Sequence, residues 1–171
     1  MITLRSKNRR EGSLMYYSFI FLKPDAMQKQ LTARILERLQ AAGITIEIFD
    51  YVYVTDDLID RHYEEAAAKL GEAFRKKARR SFSGKYIIPV IVSSHSQHII
   101  QEIRSLIGAT DPTKAQPGTI RADFSRDSIE KAMSENRLCE NLIHASDSLE
   151  AYLYEAELWF GKETASRYIE T

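Results

Sequence analysis

Hydrophobic and polar positions along this chain switch repeatedly between two periods. Residues 17–22 are short, apolar and aromatic and are stopped by Pro24, which predicts a strand ending at Lys23. Leu31, Ile35, Leu36 and Leu39 then recur at helical spacing, with Gly43 where a helix cap belongs. Ile44, Ile46 and Ile48 alternate with Thr45 and Glu47, so the period drops to two, and a β-rich run continues to Val54. Thr55-Asp56-Asp57 offers an N-cap for a helix carrying Leu58, Ile59, His62 and Tyr63, and a second helical piece follows through Phe74. Residues 86–92 form a buried type of strand, and Ile99, Ile100, Ile103, Leu106 and Ile107 define a helix ended by Gly108. A long loop through Thr119 is steered by Asp111-Pro112 and Pro117-Gly118. Residues 141–144 read as a short strand, and Asp147 caps a final helix through Phe160, apolar at Leu149, Leu153, Ala156 and Trp159.

Reduced to its main elements, the order is βαββαβ, the split arrangement of ferredoxin-like sheets. The expected fold class is therefore α+β, a four-stranded antiparallel sheet covered by helices. A length of 171 residues with 44% hydrophobic composition gives enough chain for one soluble domain with its own core. Residues 1–15 stand apart as a flexible basic extension with Arg5, Lys7, Arg9 and Arg10, and the domain proper is expected over 16–171. A nucleic-acid-binding arm is one reading of that extension. A mobile tail, or a natural start at Met15, is the blander and preferred one.

Charge and cysteine content narrow the class of partner. Lys+Arg and Asp+Glu each number 24, so net charge advertises neither nucleic acid nor membrane. The single cysteine, Cys139, excludes an internal disulfide framework and fits a reducing compartment, so a cytoplasmic location is expected. No apolar stretch approaches the length of a membrane span, and the N-terminus lacks the apolar run of a secretory signal.

The chemistry concentrates on His144, in the run Asn141-Leu142-Ile143-His144-Ala145-Ser146-Asp147-Ser148. A neutral imidazole is one of the few side chains that can accept a phosphoryl group and release it again near pH 7. Upstream lies a set suited to surrounding phosphate: Lys23, Arg104, Thr110 and Arg121. Arginine presents a planar fork that fits phosphate oxygens, whereas lysine contributes a mobile point charge. No Walker A loop and no kinase glycine-rich loop occur. His95 and His98 are three apart without a nearby cysteine or carboxylate and read as solvated turn residues; His62 reads as a packing or surface residue, and Cys139 as a small hydrophobe. Arg75-Lys76-Lys77 with Arg79-Arg80 reads as a solvated helix face rather than a polyanion site.

Five ordered blocks carry a resemblance to the nucleoside diphosphate kinase family over about residues 16–160. They are Phe21-Leu22-Lys23-Pro24-Asp25, His62-Tyr63, Arg104 with Gly108-Ala109-Thr110-Asp111-Pro112, Pro117-Gly118-Thr119-Ile120-Arg121-Ala122-Asp123-Phe124, and the run around His144, extended by Glu155 and Leu158-Trp159-Phe160. The resemblance implies a ferredoxin-like fold and a histidine that takes the terminal phosphate from one nucleoside triphosphate and gives it to another nucleoside diphosphate. It implies His144 as nucleophile, Glu155 holding the other imidazole nitrogen, and Lys23 at the transferring phosphate and the ribose. Arg104, Thr110 and Arg121 would bind the phosphates and Asn141 the sugar. Tyr63 would position Lys23, with Ser146 nearby. It also implies Mg2+ carried by the nucleotide phosphates, broad base tolerance, and a homo-oligomer built from dimers, the hexamer being the leading size.

The chain departs from the family pattern in places. The segment holding the family's base-stacking phenylalanine is shifted, which makes Phe74 the candidate and Phe82 the next. Ser83-Gly84-Lys85 replaces the usual Ser-Gly-Pro, several extra residues with a helical signal at 128–135 separate Phe124 from Asn141, and the tail after Phe160 is short. Two alternatives from other classes stay open at this point: a catalytically silent nucleotide-binding or regulatory module, and an RNA-binding ferredoxin-like domain using the 75–80 cluster. Retention of His144, Lys23, Arg104 and Arg121 together argues against the first. The absence of an RNP-like aromatic pattern in residues 86–90 argues against the second.

Overall fold

A computed structural model of the chain describes residues 14–169. The basic extension expected over 1–15 lies almost wholly outside these residues. The elements run β1 Tyr16–Leu22, α1 Pro24–Gln28, α2 Thr32–Ala41, β2 Thr45–Phe49, β3 Val52–Tyr53, α3 Asp56–His62, α4 Glu64–Leu70, α5 Glu72–Phe82 and β4 Tyr86–Ser94. There follow α6 Ile99–Ile107, a 3-10 turn at Pro112–Lys114, α7 Ile120–Phe124, α8 Ile129–Ser134, β5 Ile143–Ala145, α9 Leu149–Phe160, α10 Lys162–Ala165 and a 3-10 turn at Ser166–Tyr168.

The sheet is antiparallel in the order β2-β4-β1-β5, with β3 pairing on β4 as well. This is the expected ferredoxin-like βαββαβ arrangement. Strand alternation sorts the core into two halves. Ile20 and Leu22 of β1, Val90 and Val92 of β4, and Ile143 and Ala145 of β5 face one side, beneath Ala26, Ile35, Leu39, Ile103 and Ile120. Phe19, Phe21, Ile87 and Ile91 face the other, beneath Ile59 of α3, Phe82 of α5, and Tyr152 and Trp159 of α9. The central strands are therefore apolar on both faces, as a doubly covered sheet requires.

Several local expectations need correction. The β-rich run to Val54 is not one strand: its register shifts between Ile46 and Ile48, and it breaks at Asp50 before resuming as β3. The helical piece through Phe74 is two helices joined at Gly71, whose φ of +82° a side chain would resist, and the second continues to Phe82. The last helix is capped by the Ser148 hydroxyl, which accepts from Ala151 N–H at 3.0 Å, rather than by Asp147. The short strand begins at Ile143 instead of residue 141, because Asn141 and Leu142 form a turn. The 128–135 helix is present as α8, capped by Ser128. The tail folds back on its own domain: Tyr168 packs edge-on against Tyr17, and the Tyr152 hydroxyl donates to Tyr168 O at 2.5 Å.

Candidate active site

Strand pairing builds the site. In the β1–β5 ladder Phe21 lies directly opposite His144, and their rings stack with centroids 4.8 Å apart. One residue beyond the end of β1, the Lys23 N–H donates to Leu142 O at 2.9 Å. The turn before β5 is tight. Ile143 N–H donates to Asn141 O at 2.9 Å across Leu142, a buried non-glycine residue with φ of +74°. Such a three-residue turn is strained and persists only where its surroundings fix it. Here Leu142 N–H donates to the buried Asp25 carboxylate at 3.0 Å, and Arg121 Nε donates to Asn141 O at 3.2 Å. The Pro24-Asp25 pair of the first motif thus shapes the loop that carries the last one.

His144 is held from its Nε2 side. That nitrogen lies 2.9 Å from Glu155 Oε1 of α9, and the second Glu155 oxygen accepts from the buried Ser146 hydroxyl. A carboxylate only accepts, so Nε2 carries the proton and Nδ1 keeps its lone pair when the ring is neutral. Both peptide carbonyls beside His144 hold arginines. Arg121 Nη2 donates to Ile143 O at 2.6 Å, and Arg104 Nη1 reaches Ala145 O at 3.5 Å. Arg121 is further fixed by Gly108 O at 3.0 Å, which leaves two of its five N–H donors for an anion.

Lys23 is buried, and its Nζ donates to Asn141 Oδ1 at 2.5 Å, while Asn141 Nδ2 donates to Thr110 O at 2.7 Å. Burial lowers the Lys23 pKa to about 8, with Asp25 opposing and Arg121 adding to the fall. Burial next to Arg104 likewise brings Arg121 down to about 10. Burial raises Asp25 above the ordinary carboxylate range, against the pull of Lys23. Burial, with Glu155 adding, holds the Tyr63 phenol well above its ordinary range, so its hydroxyl stays neutral. Lys23 is buried, Arg121 half-buried and Arg104 exposed, so the cations crowd one another from the interior out to the surface, as they would if an anion were meant to join them.

The structure therefore brings together Lys23, Arg104, Arg121, Asn141, His144, Ser146 and Glu155, with Thr110 tied in through its backbone. Tyr63 sits at the C-terminus of α3, its ring 6.5 Å from His144. Phe74 is half-buried with its ring edge-on to Tyr63 at 5.6 Å, whereas Phe82 is buried with Lys23 Nζ 5.7 Å above its ring. Phe82 is thus removed as a stacking candidate, because no face is left for a base. His62 is a packed residue, as expected, but its place was not: it lies within 4.6 Å of the His144 ring and takes the Trp159 indole N–H on Nδ1 at 3.2 Å. His62, His144 and Glu155 have ligand-type atoms within 4.8 Å of one another. Both Glu155 oxygens and His62 Nδ1 are already engaged, so the trio reads as a hydrogen-bonded group rather than a metal cage. Only the adjacency of His62 to Tyr63, in the second motif block, placed it near the site in the sequence.

The remaining candidates behave as solvated or structural groups. Arg79 forms a bidentate pair with Asp60, and Arg75 lies 3.8 Å from Glu72, while Lys76 and Arg80 are exposed, so the basic run is a partly paired, solvated helix face. His95 Nδ1 approaches Leu14 O at 3.3 Å, and His98 stands at the N-cap position of α6 without a capping side-chain hydrogen bond. Burial, with Asp127 adding, pushes the Cys139 thiol up to about 12, which suits an inert packing group.

A family model described as nucleoside diphosphate kinase matches residues 17–165. The chain is 34% identical over 147 residues to a nucleoside diphosphate kinase of Streptococcus pneumoniae, covering 85% of this chain and all of the relative. Among solved structures it is similar to a transition-state mimic of the Borrelia burgdorferi nucleoside-diphosphate kinase with bound vanadate and ADP. The TM-score is 0.81 at 27% identity, over 89% of this chain and 90% of that one. It is also similar to a halophilic nucleoside diphosphate kinase of Halobacterium salinarum in complex with CDP, with a TM-score of 0.71 at 27% identity, over 86% and 89% of the two chains.

Proposed function

The chain belongs to the nucleoside diphosphate kinase family, and from that premise we propose that His144 carries the phosphate between its two nucleotides. The protein is a phosphotransferase that moves the terminal phosphate of a nucleoside triphosphate to a nucleoside diphosphate. The RNA-binding and silent-module alternatives are not favoured.

One observation carries the assignment of His144. Its Nε2 is pinned at 2.9 Å to Glu155, so the Nδ1 lone pair is the free nucleophile, and the carbonyls on either side of it anchor two arginines. Nδ1 attacks the terminal phosphorus, the bond to the bridging oxygen breaks, and the nucleoside diphosphate departs with that electron pair. A second nucleoside diphosphate then attacks the phosphohistidine by the reverse path. Phosphoryl transfer asks mainly for positioning and for charge to meet the phosphate oxygens. Lys23, Arg104 and Arg121 supply charge, Thr110 a hydroxyl, Asn141 and Lys23 contacts to the sugar, and Tyr63 packing for Lys23 and the loaded histidine. Ser146 holds the far oxygen of Glu155 and so steadies the carboxylate.

Magnesium would arrive with the nucleotide and would offset phosphate charge beside Lys23, Arg104 and Arg121. Asp25 and Glu155 are already engaged, which supports a metal that arrives on its substrate rather than in a protein cage. Phe74, half-buried against Tyr63, is the proposed base platform. Stacking without base-edge contacts fits purines and pyrimidines alike, and ADP and CDP are bound by two of the similar enzymes.

The assembly is proposed as a homo-oligomer built from dimers. β2 is an edge strand of the sheet, and Phe49 at its end and Tyr51 just beyond are 65% and 59% exposed, an edge that a second copy would cover. No helix among the described residues is long and apolar enough to cross a membrane, and a cytoplasmic location is part of the proposal. Initial-rate kinetics test the scheme. Parallel double-reciprocal lines and ATP–ADP exchange without a second nucleotide are expected. Intersecting lines with no exchange would show direct transfer between two bound nucleotides.

A further inference from the structure

His62 is a buried imidazole in contact with both members of the His144–Glu155 pair. Its ring is 4.6 Å from that of His144, and its Nδ1 is 3.9 Å from Glu155 Oε1, the same oxygen that holds His144 Nε2. The Trp159 indole N–H points at His62 Nδ1 from 3.2 Å. An indole nitrogen can only donate, so Nδ1 must present its lone pair and the ring proton must sit on Nε2. That Nε2 is buried and has no hydrogen-bond partner among the described residues.

The orphaned N–H is the informative part. A buried donor without a partner is costly, and His62 has an evident way to avoid the cost. The other tautomer would place the proton on Nδ1, facing Glu155, and leave only a lone pair at Nε2. What blocks that arrangement is Trp159, which would then meet a hydrogen instead of an acceptor. Left to itself, His62 would compete with His144 for one carboxylate oxygen.

We propose that Trp159 is a positioning residue that acts through His62: by occupying Nδ1 it locks the neutral Nε2–H tautomer and so reserves Glu155 for His144. The lock also opposes a second proton on His62, because the only nitrogen able to take one is already in use. The groups facing His62 work in the same direction. Phe21 of β1 packs on it at 5.0 Å and Tyr63 at the end of α3 at 4.6 Å, both uncharged. His144 of β5 and Lys23 beyond β1 disfavour a positive charge there, and Glu155 of α9 is the one anion beside it among the described residues. Burial first, then His144 and Lys23, hold the His62 pKa well below the ordinary histidine value.

The consequence for the reaction rests on the assignment of His144 as phosphate carrier, whereas the tautomer itself does not. With Trp159 replaced by phenylalanine, His62 is free to turn a proton toward Glu155. His144 then loses exclusive hold of the carboxylate that keeps its Nδ1 lone pair aimed at phosphate. Protonation of His62 also becomes easier, and that charge would stand beside the nucleophile.

Two measurements test this. Long-range proton–nitrogen correlation spectra of the nitrogen-15-labelled wild-type protein should read His62 as protonated on Nε2 and bare on Nδ1 throughout the neutral range. A proton on Nδ1, or a fast mixture of tautomers, would overturn the lock, whatever His144 does. Steady-state kinetics then test its role. Trp159→Phe should lower kcat about 10-fold, with little change in KM, and move the acid limb of kcat to higher pH. The double variant His62→Phe/Trp159→Phe should lose no more than His62→Phe alone, because a lock without its bolt does nothing. Additive losses, or an unmoved acid limb in Trp159→Phe, would reduce Trp159 to a packing residue. If His144 proved not to carry phosphate while the spectra still showed the Nε2–H form, the site assignment would fall and the tautomer assignment would stand.

Discussion

Replacing Lys23 by methionine should inactivate the protein and at the same time make it more stable. Lys23 is 7% exposed, and burial lowers its pKa from 10.5 to about 8. A shift of that size corresponds to about 3 kcal/mol by which the folded state disfavours the protonated form at neutral pH. Methionine removes that penalty and fills similar volume with an unbranched apolar chain. The substitution also deprives Asn141 Oδ1 of its 2.5 Å donor and Asp25 of a neighbouring positive charge. Those losses return about 1–2 kcal/mol, so the net gain is about 1–2 kcal/mol, or roughly 5 °C in Tm for a domain of this size. The sign can be checked with pH. Because the folded pKa lies below the unfolded one, the unfolded chain binds more protons between about 8 and 10.5, and wild-type stability rises through that window. The variant lacks this term, so its advantage should be full at pH values near 7 and shrink as 10.5 is approached. Thermal unfolding of both proteins across that range is the assay. A variant that is less stable near neutrality, or a gap that stays constant with pH, would show that Lys23 is not held in the folded state at a cost.

The same shift predicts the pH dependence of activity: kcat/KM should fall above about 8 as Lys23 loses its proton, and Lys23→Arg, slower overall, should lose that alkaline limb. Glu155→Gln keeps the shape of the carboxylate but lets either end of the amide face Nε2, so kcat should drop about 100-fold with nucleotide KM little changed; a rate near wild type would mean that the tautomer is set elsewhere. Light scattering at micromolar concentration should give a dimer-based oligomer, with a hexamer as the leading size and Phe49→Glu weakening the dimer; a clean monomer of 19.7 kDa would refute the assembly.

Much of the fold is legible because neighbouring residues already encode two faces. Phe19 and Phe21 alternate with Ile20 and Leu22, and the structure sends the aromatic pair to the α9 side and the aliphatic pair to the α2 and α6 side. The helix at 99–107 and the cap at Thr55 follow from local rules for the same reason. What escaped the sequence is long-range. The extent of α5 to Phe82 depends on packing against Phe21 and Tyr63, not on periodicity in a run dominated by charge. The turn at Leu142 is imposed by Asp25, 117 residues away, and no local signal marks a leucine for positive φ. The extra segment between Phe124 and Asn141 showed its helix through Ser128, but not its clamp. There Arg137 forks onto the buried Asp127 at 2.6 and 3.0 Å, and the same carboxylate accepts from Glu140 N–H at 2.7 Å, which sets the approach to Asn141. The structure gathers most of the residues named by motif around His144, whereas the partnership of His62 with Trp159 was not legible. It joins positions 97 apart, and neither residue type by itself points to the other.

The central claim is that one imidazole nitrogen, Nδ1 of His144, holds the phosphate between two half-reactions. The direct measurement is to incubate the protein with ATP labelled in its terminal phosphate, without an acceptor, and locate the label. The account predicts stoichiometric label on His144, stable in alkali and lost in acid, attached through Nδ1, discharged by added GDP, and absent from His144→Ala. Label on Ser146 or any other hydroxyl, attachment through Nε2, or label that persists on His144→Ala would contradict it.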